Sequence, residues 1–331
     1  MTLGTEFYPY TTFDGRYAYA SGRIRALETN LLDRQKIAKL ASAKNMDHFF
    51  SELSESCYKP YIEKFERDLL FEELLFQVYK DLIDELTFLS PEKGIRDFFN
   101  LYFDSYNIKM ILKHVYYGKD YEEKLFPYGD IGAEIVEDGN FDEKVIPERY
   151  KHLFVDFNDN IREANNGELR INEMVDKFYY SELIKESVKI DSPFLVYLNR
   201  HNIELINGYI LMRNSIFDFG HLLLLENGFT PTSDLKKMAD WDFKALVKYY
   251  KGEYGSLFPQ NVKDPVEILK HFTASKGEFI VGLRSQSEFI TMGIEVLISY
   301  FYKKKEELKI LRKIFLAKMR NISFEEIMEL I

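Results

Sequence analysis

Apolar side chains recur every three or four residues along most of the chain, which is the spacing of an amphipathic α-helix. Within residues 17–32, for example, Tyr17, Ile24 and Leu31 fall near one face of a helix. The same pattern predicts helices over residues 33–43, 46–54, 63–89, 95–117, 150–165, 171–189, 192–225, 240–250, 265–273, 293–318 and 323–331. No strand is clearly indicated, so we expect an all-α fold.

Polar and helix-breaking residues mark several helix ends. Pro91, with Ser90 before it, ends one long predicted helix and precedes the next. Ser323 and Glu326 have the spacing of a capping box and predict the start of the last helix. Residues 130–140 are acidic and interrupted by glycine, which favours a loop.

Three predicted helices share a tyrosine that is followed five residues later by asparagine or, in the last helix, by glutamate. The pairs are Tyr102 and Asn107, Tyr197 and Asn202, and Tyr302 and Glu307. The two asparagines are 95 positions apart, and Glu307 follows 105 positions after the second.

A second pattern, built on tyrosine, recurs at about twice that interval. Tyr58 and Tyr254 are each followed four residues later by an apolar residue, and they are 196 positions apart. The two patterns together predict a module of about a hundred residues that is used about three times.

The composition narrows the class of protein. The chain has 331 residues, of which 46% are hydrophobic and 30% charged, and only 17 are glycine and 9 proline, which favours a globular protein with long helices. Its net charge of −10 disfavours general nucleic-acid binding. Cys57 is the single cysteine, so no internal disulfide can form. The first residues lack the order of a signal peptide, and no apolar run approaches the ~20 residues of a membrane span. We therefore expect a soluble, cytoplasmic protein.

Residues with catalytic or ligand chemistry form no recognisable site pattern. The six histidines make no HExxH pair, Cys57 has no evident base, and neither GxxxxGK[ST] nor GxGxxG occurs. The segment from Asp156 resembles the start of a calcium loop, but its sixth position is Ile161 and its twelfth is Gly167. We predict no catalytic, cofactor-binding or metal-binding residue.

Residues 303–305 are three lysines that open a strongly charged helix. The pattern favours a solvated helix face. It leaves open a contact surface for an acidic partner, because Arg312 and Lys318 share a side of the helix with Leu308.

Both ends of the chain resemble the family of the V-type (vacuolar and archaeal-type) ATPase C subunit, whose eukaryotic member is known as the d subunit. Residues 17–33 are similar to the N-terminal helix of that family, and residues 293–331 are similar to its end. The C-terminal residues that carry the resemblance are Glu295, Tyr300, Glu306, Arg312, Lys318 and the closing SFEEIMELI. The repeated helices fit the internal helices of the family, so the resemblance covers nearly the whole chain.

The resemblance implies an all-helical fold of three similar modules around a pseudo-threefold axis, which form a funnel-like socket. The approximate modules are 10–92, 93–190 and 191–295, with closing helices over 296–331. The implied function is that of a non-catalytic central-rotor protein, peripheral on the cytoplasmic face of the membrane. It would couple the D and F proteins of the central stalk to the membrane proteolipid ring for ATP-linked proton or sodium transport. It would bind no nucleotide and no nucleic acid, need no cofactor, and not be an obligate homo-oligomer.

Nine residues of the family pattern are expected to serve the structure or its interfaces: Arg23, Arg25, Tyr58, Asn107, Lys109, Asn202, Glu306, Arg312 and Lys318. The sequence departs from the pattern where Glu204 stands in place of the basic Lys109 and where Glu307 replaces asparagine. We hypothesise that part of the negative charge lies in the socket and grips a basic stalk foot. Two alternatives stay open: an unrelated helical scaffold or adaptor, and a helical enzyme with an unrecognised site.

Overall fold

The computed structural model of the protein describes residues 13–64, 71–118, 125–137, 140–142, 144–155, 167–217 and 222–330. These residues are predominantly helical, which confirms the expected all-α class. The exception is a short hairpin in which β1 (Val136–Glu137) pairs antiparallel with β2 (Asn140–Phe141).

The chain divides into two compact units. The central unit includes Gly94–Ser287, and the terminal unit combines Thr12–Lys93 with Glu288–Ile331. The terminal unit is therefore built from segments at both ends of the sequence.

The helices of the terminal unit are α1 (Ala18–Glu28), α2 (Arg34–Ala41), α3 (Met46–Leu53), α4 (Lys59–Lys64) and α5 (Phe71–Leu89), joined later in the chain by α13 (Ile294–Met319) and α14 (Phe324–Leu330). Those of the central unit are α6 (Ile95–Tyr117), α7 (Lys151–Val155), α8 (Gly167–Lys189), α9 (Pro193–Phe217), α10 (Thr232–Met238), α11 (Phe243–Glu253) and α12 (Pro265–Ser285). None of these described helices combines the length and apolar character needed to cross a bilayer.

Local side-chain chemistry sets several helix starts. The Asp33 carboxylate accepts a hydrogen bond from the Lys36 N–H at 2.8 Å and caps α2. Ahead of α14, Ser323 donates its N–H to Glu326 at 3.1 Å and accepts the Glu326 N–H at 3.4 Å. This reciprocal pair confirms the predicted capping box.

The core of the terminal unit forms where α5 and α13 pack together. The buried stripe of α5 recurs at helical spacing and consists of Phe71, Leu74, Leu75, Val78, Tyr79, Leu82, Ile83, Leu86 and Leu89. Phe71 stacks on Phe315 of α13 with ring centroids 4.3 Å apart, and Phe49 and Phe50 of α3 contact both rings. Aromatic packing thus joins the two ends of the sequence.

The core of the central unit is centred on two long helices. α6 packs against α8, and α9 packs against α8, α11 and α12. Both helices bury polar residues as well as apolar ones, among them Asn100, Asp104, Ser105 and Asn107 on α6 and Asn199, His201, Glu204 and Asn207 on α9. Buried polar groups need hydrogen-bond partners, so these helices hold the most specific contacts of the unit.

The structure differs from the predicted helices in places. A helix was predicted over 192–225, but residues 222–225 are not helical, and 218–221 lie outside the described residues. The physical reason is a side-chain contact: the Leu225 N–H donates to Asn207 Oδ1 at 2.8 Å, and the Leu225 carbonyl accepts from Asn207 Nδ2 at 2.9 Å. The asparagine amide replaces the partners that a helix would supply.

Other helices differ from the prediction in length or were not predicted. α12 continues to Ser285, beyond the predicted end at 273, and the short helices α4 and α10 were not predicted. Parts of the predicted helices 63–89 and 150–165 lie outside the described residues, as does most of the calcium-loop-like segment that starts at Asp156.

Candidate functional site

Three helices each carry one buried acidic residue whose carboxylate accepts hydrogen bonds from another segment. The residues are Asp104 on α6, Glu204 on α9 and Glu307 on α13, which are 0%, 3% and 5% exposed. They lie 100 and 103 positions apart in the sequence. We call each acid and its partners a cluster: the Asp104, Glu204 and Glu307 clusters.

In the Asp104 cluster the carboxylate accepts hydrogen bonds from the segment that follows α6. Oδ1 accepts from the N–H groups of Asp130 at 2.7 Å and Ile131 at 3.2 Å, and Oδ2 accepts from the Tyr150 hydroxyl at 2.5 Å. Gly129 has a φ of +104°, and a Cβ at that position would lie 2.3 Å from Asp104 Oδ1. Only glycine therefore permits both this backbone conformation and this approach.

The Glu204 cluster repeats the arrangement after α9. Oε2 accepts from the N–H groups of Phe229 and Thr230, each at 2.9 Å, and Oε1 accepts from the Thr230 hydroxyl at 2.5 Å. Gly228 precedes these donors, and a Cβ there would lie 2.8 Å from Glu204 Oε2. The order of glycine followed by two N–H donors is the same as at Gly129.

An asparagine three residues after each of these two acids binds the same loops. Asn107 donates to the carbonyls of Phe126 and Ile131 at 2.9 and 2.7 Å, and its Oδ1 accepts the Phe126 N–H at 2.9 Å. Asn207 makes the matching pair of bonds to Leu225. By their contacts, the residue equivalent to Asn107 is Asn207, 100 positions later, whereas the sequence spacing made Asn202 its equivalent.

The Glu307 cluster joins the two ends of the chain within the terminal unit. Its Oε1 accepts from the Tyr58 hydroxyl and from Lys304 Nζ, each at 2.5 Å, and its Oε2 accepts from the N–H of Leu32. Burial raises the pKa of Tyr58 well above its usual range, and the repulsion of the nearby Glu307 charge adds a smaller effect in the same direction. The hydroxyl therefore keeps its proton and donates it to the hydrogen bond.

Two of the three clusters contain a cation that lies against a tyrosine ring. Lys304 Nζ is 4.3 Å from the centroid of Tyr58, and the Arg149 guanidinium is 4.6 Å from the centroid of Tyr150. These contacts combine an ion–carboxylate attraction with a cation–π interaction. The structure corrects one expectation here, because Lys304 is 7% exposed rather than part of a solvated face.

The Glu204 cluster has a neutral side chain in the position of Lys304. His201 lies three residues before Glu204, as Lys304 lies three before Glu307. Burial, with a smaller effect of the Arg200 charge, lowers the pKa of His201 to about 4, so the ring is uncharged near pH 7. Its Nδ1 is 2.9 Å from the Tyr254 hydroxyl, and within the described residues its Nε2 has no hydrogen-bond partner.

In the Asp104 cluster the pKa of the acid is raised, whereas the pKa of His201 is lowered. Burial raises the pKa of Asp104 to about 7, in spite of the hydrogen bond from Tyr150, which acts the opposite way. Asp104 therefore carries part of a proton near neutral pH.

An open groove borders the Glu204 cluster inside the central unit. Its volume is about 670 Å³. Phe229, Trp241 and Tyr249 line it and are each 38–40% exposed, and Asp234 and Glu253 add carboxylates. The groove is therefore aromatic and acidic, and it is a candidate site for a ligand or partner.

The nine residues predicted from the family pattern are divided between the two units. Six lie in the terminal unit, and Asn107, Lys109 and Asn202 lie in the central unit. Tyr58 and Asn107 belong to the clusters described above. Asn202 is half-buried on α9, one position after His201.

The other predicted residues make ion pairs or bind backbone carbonyls. Their partners are Glu85 for Arg23, Glu28 and the Glu288 and Ile290 carbonyls for Arg25, Asp176 for Lys109, Lys309 for Glu306, Glu72 for Arg312, and the Ala43 carbonyl for Lys318. Apart from the pair of Glu306 and Lys309, which lies within α13, these residues each make a contact with another segment of their own unit. The sequence pattern identified Glu307 only as a departure from asparagine and did not identify Asp104, although the offset of 100 was readable in the pairs Asn107 and Asn207 and Tyr150 and Tyr250.

Fold and clusters together define an all-helical protein that reuses one buried acid-and-loop arrangement along its length. The model of the ATP synthase (C/AC39) subunit family matches residues 20–330, and the chain belongs to that family. The resemblance of both chain ends to the C/d family is thereby confirmed, and the chain is a subunit of the V/A-type rotary ATPases.

Curated relatives agree with this membership. The chain is similar to the C subunit of the A-type ATP synthase of Pyrococcus horikoshii, with 23% identity covering 95% of this chain and 90% of the relative. It is 23% identical to the same protein of Pyrococcus furiosus, covering 99% and 92% of the two chains, and 25% identical to that of Methanococcoides burtonii, covering 93% and 92%. The match over nearly the full length leaves no support for an unrelated scaffold.

Proposed function

We propose that this chain is a non-catalytic rotor protein that joins the D–F central stalk to the membrane proteolipid ring. Membership of the ATP synthase (C/AC39) subunit family is the observation that carries the proposal. In this role the protein transmits torque between the two partners and lies peripherally on the cytoplasmic face of the membrane. It binds no nucleotide and needs no cofactor to do so.

The clusters supply the stiffness that this role needs. The Glu307 cluster connects α13 to Leu32 and Tyr58, which are about 250 or more positions away in sequence. A buried polar network fixes one packing arrangement, because any shift leaves a charge without partners. Torque applied to one element is then passed to its neighbours with little deformation.

The recurrence of the cluster supports three similar modules. Asp104, Glu204 and Glu307 would mark the modules at intervals of 100 and 103 positions, with the third module completed by the N-terminal segment that carries Tyr58. Three such modules around a pseudo-threefold axis would form the socket that receives the stalk.

Reconstitution of the ATPase with and without this chain tests the proposal. We expect the complex without the chain to hydrolyse ATP in its soluble head but to build no ion gradient across lipid vesicles, and we expect added wild-type chain to restore transport. The chain alone should bind the purified D–F pair and show no turnover. Ion transport that persists without the chain would contradict the proposal.

A further inference from the structure

Aromatic rings make up much of the wall of the groove beside the Glu204 cluster. Trp241 and Tyr249 form one corner of it, with ring centroids 6.1 Å apart and ring planes at 77°, and they are 39% and 38% exposed. Among the described residues no lysine or arginine lies over either ring. Aromatic faces attract cations through the ring quadrupole, and tryptophan does so most strongly. This corner therefore offers unoccupied faces to a cation.

Arg200 is a cation of the Glu204 cluster, but it does not line the groove. Its Nη2 donates to the Gly228 carbonyl at 3.0 Å, and its guanidinium is 4.5 Å from the ring centroid of Phe229. The side chain lines a neighbouring pocket instead. Arg200 thus supplies positive charge to the cluster and already occupies a face of Phe229, which leaves the corner of Trp241 and Tyr249 for a ligand.

The charged residues that line the groove sum to a negative charge. Lys237 is the only cation among the described residues of the lining, and it is paired with Asp234 at 2.8 Å. Glu204 uses both carboxylate oxygens as acceptors for the loop that follows α9. Glu253 lies one turn after Tyr249 on α11, is exposed, and forms no ion pair or hydrogen bond with a described residue. Its charge is available to a ligand at the aromatic corner.

We propose that this groove binds a small quaternary ammonium cation such as choline. A quaternary ammonium carries a charge but no N–H group, so aromatic faces and one nearby carboxylate stabilise it without further hydrogen-bond acceptors. A primary ammonium has three N–H groups to satisfy, whereas Glu253 is the only groove carboxylate without a partner among the described residues. The groove volume of about 670 Å³ is sufficient for such a cation. This binding property goes beyond the rotor function and does not depend on it.

Trp241, the only tryptophan in the chain, reports directly on the groove. Titration of the purified full chain with choline at constant ionic strength should change the tryptophan fluorescence saturably, with a Kd of about 1 mM or below. The neutral isostere 3,3-dimethyl-1-butanol should bind at least about tenfold more weakly, because it has the shape of choline without the charge. Ethanolamine, the primary ammonium counterpart, should bind at least about threefold more weakly.

Two pairs of variants locate the site, with choline binding measured by calorimetry. Glu253→Gln removes the free groove carboxylate and should weaken binding about fivefold, whereas Glu148→Gln removes an acid outside the groove, with an 87% exposed side chain, and should change it less than about twofold. Tyr249→Leu removes an aromatic face and should weaken binding about tenfold. Tyr249→Phe keeps the face, loses only the hydroxyl contact with Thr230, and should change binding less than about twofold.

The outcomes decide the inference without involving the stalk or the ring, because every assay uses this chain alone. Saturable binding of choline that is weakened in E253Q and Y249L, but not in their controls, supports it. The inference is overturned if choline gives no saturable change, if the isostere or ethanolamine binds as tightly as choline, or if E253Q and Y249L bind choline as well as their controls. Because Glu253 is exposed, E253Q decides the question even if Y249L does not fold.

Discussion

At the scale of single residues, the clusters depend on glycine as much as on the acids. Gly129 combines a positive φ with an approach that leaves no room for a Cβ beside the Asp104 carboxylate. That approach lets two consecutive N–H groups point at one carboxylate oxygen. Asp104 can be buried because this backbone and Tyr150 replace the water that the carboxylate loses.

Replacing Gly129 with alanine should lower the free energy of unfolding by about 2–4 kcal/mol, because the new Cβ adds backbone strain and displaces a buried carboxylate. Gly252 is the matched control: it lies in α11, has no atom within 4 Å of an added Cβ, and has no positive φ. G252A should leave stability unchanged or raise it by up to ~1 kcal/mol. Denaturant unfolding followed by circular dichroism measures both, and equal effects of the two substitutions would contradict the strain argument.

At the scale of elements, α13 is held by the segments that precede α5. Its Lys304 and Glu307 form a buried ion pair, and Glu307 also accepts from Leu32 and Tyr58. Removal of one member of a buried ion pair lowers the stability strongly, because the remaining charge stays buried without its partner.

Lys304→Met should therefore destabilise the protein by about 3 kcal/mol or more, as it leaves Glu307 without its cation. The control is Lys309→Met on the same helix, which removes an exposed ion pair with Glu306 at 3.4 Å and should cost at most about 0.5 kcal/mol. Thermal melting of both variants at pH 7 measures the difference. A small effect of K304M would show that the buried pair contributes little to holding α13.

At the scale of the whole molecule, the two compact units do not simply follow one another along the sequence. Each unit has a core of its own, but the terminal unit needs segments from both ends of the chain. The buried stripe of α5 and the aromatic group around Phe71 are covered by α13, which lies more than two hundred positions later.

A fragment of residues 94–287 should accordingly be helical and unfold cooperatively, whereas a fragment of residues 12–93 should not fold by itself. Adding residues 288–331 to the latter should restore helix content, because α13 covers the exposed face of α5. Circular dichroism of the separate and mixed fragments decides this. Cooperative melting of 12–93 alone would be the contrary result.

Helix periods and caps are local properties, so they were predictable from the sequence. The long helices α6 and α13 agree with the pattern to within one residue at each end, and the capping box at Ser323 lies where the spacing indicated. The resemblance of both chain ends to the family also needed only sequence, and the family match confirms it.

The partners of the buried acids were decided only by tertiary structure. Helical spacing places Glu307, four residues before the buried Leu311, on the buried side of α13, but it does not show which groups the carboxylate meets there, and the sequence pattern took the partly exposed Glu306 as the family residue. The alignment of Asn107 with Asn202 failed for the same reason, because the function of such an asparagine is set by a loop 18 or more positions away. Periodicity states which side of a helix is buried, but burial of a charge depends on which distant N–H, hydroxyl or cation arrives there, and only the folded chain brings those groups together.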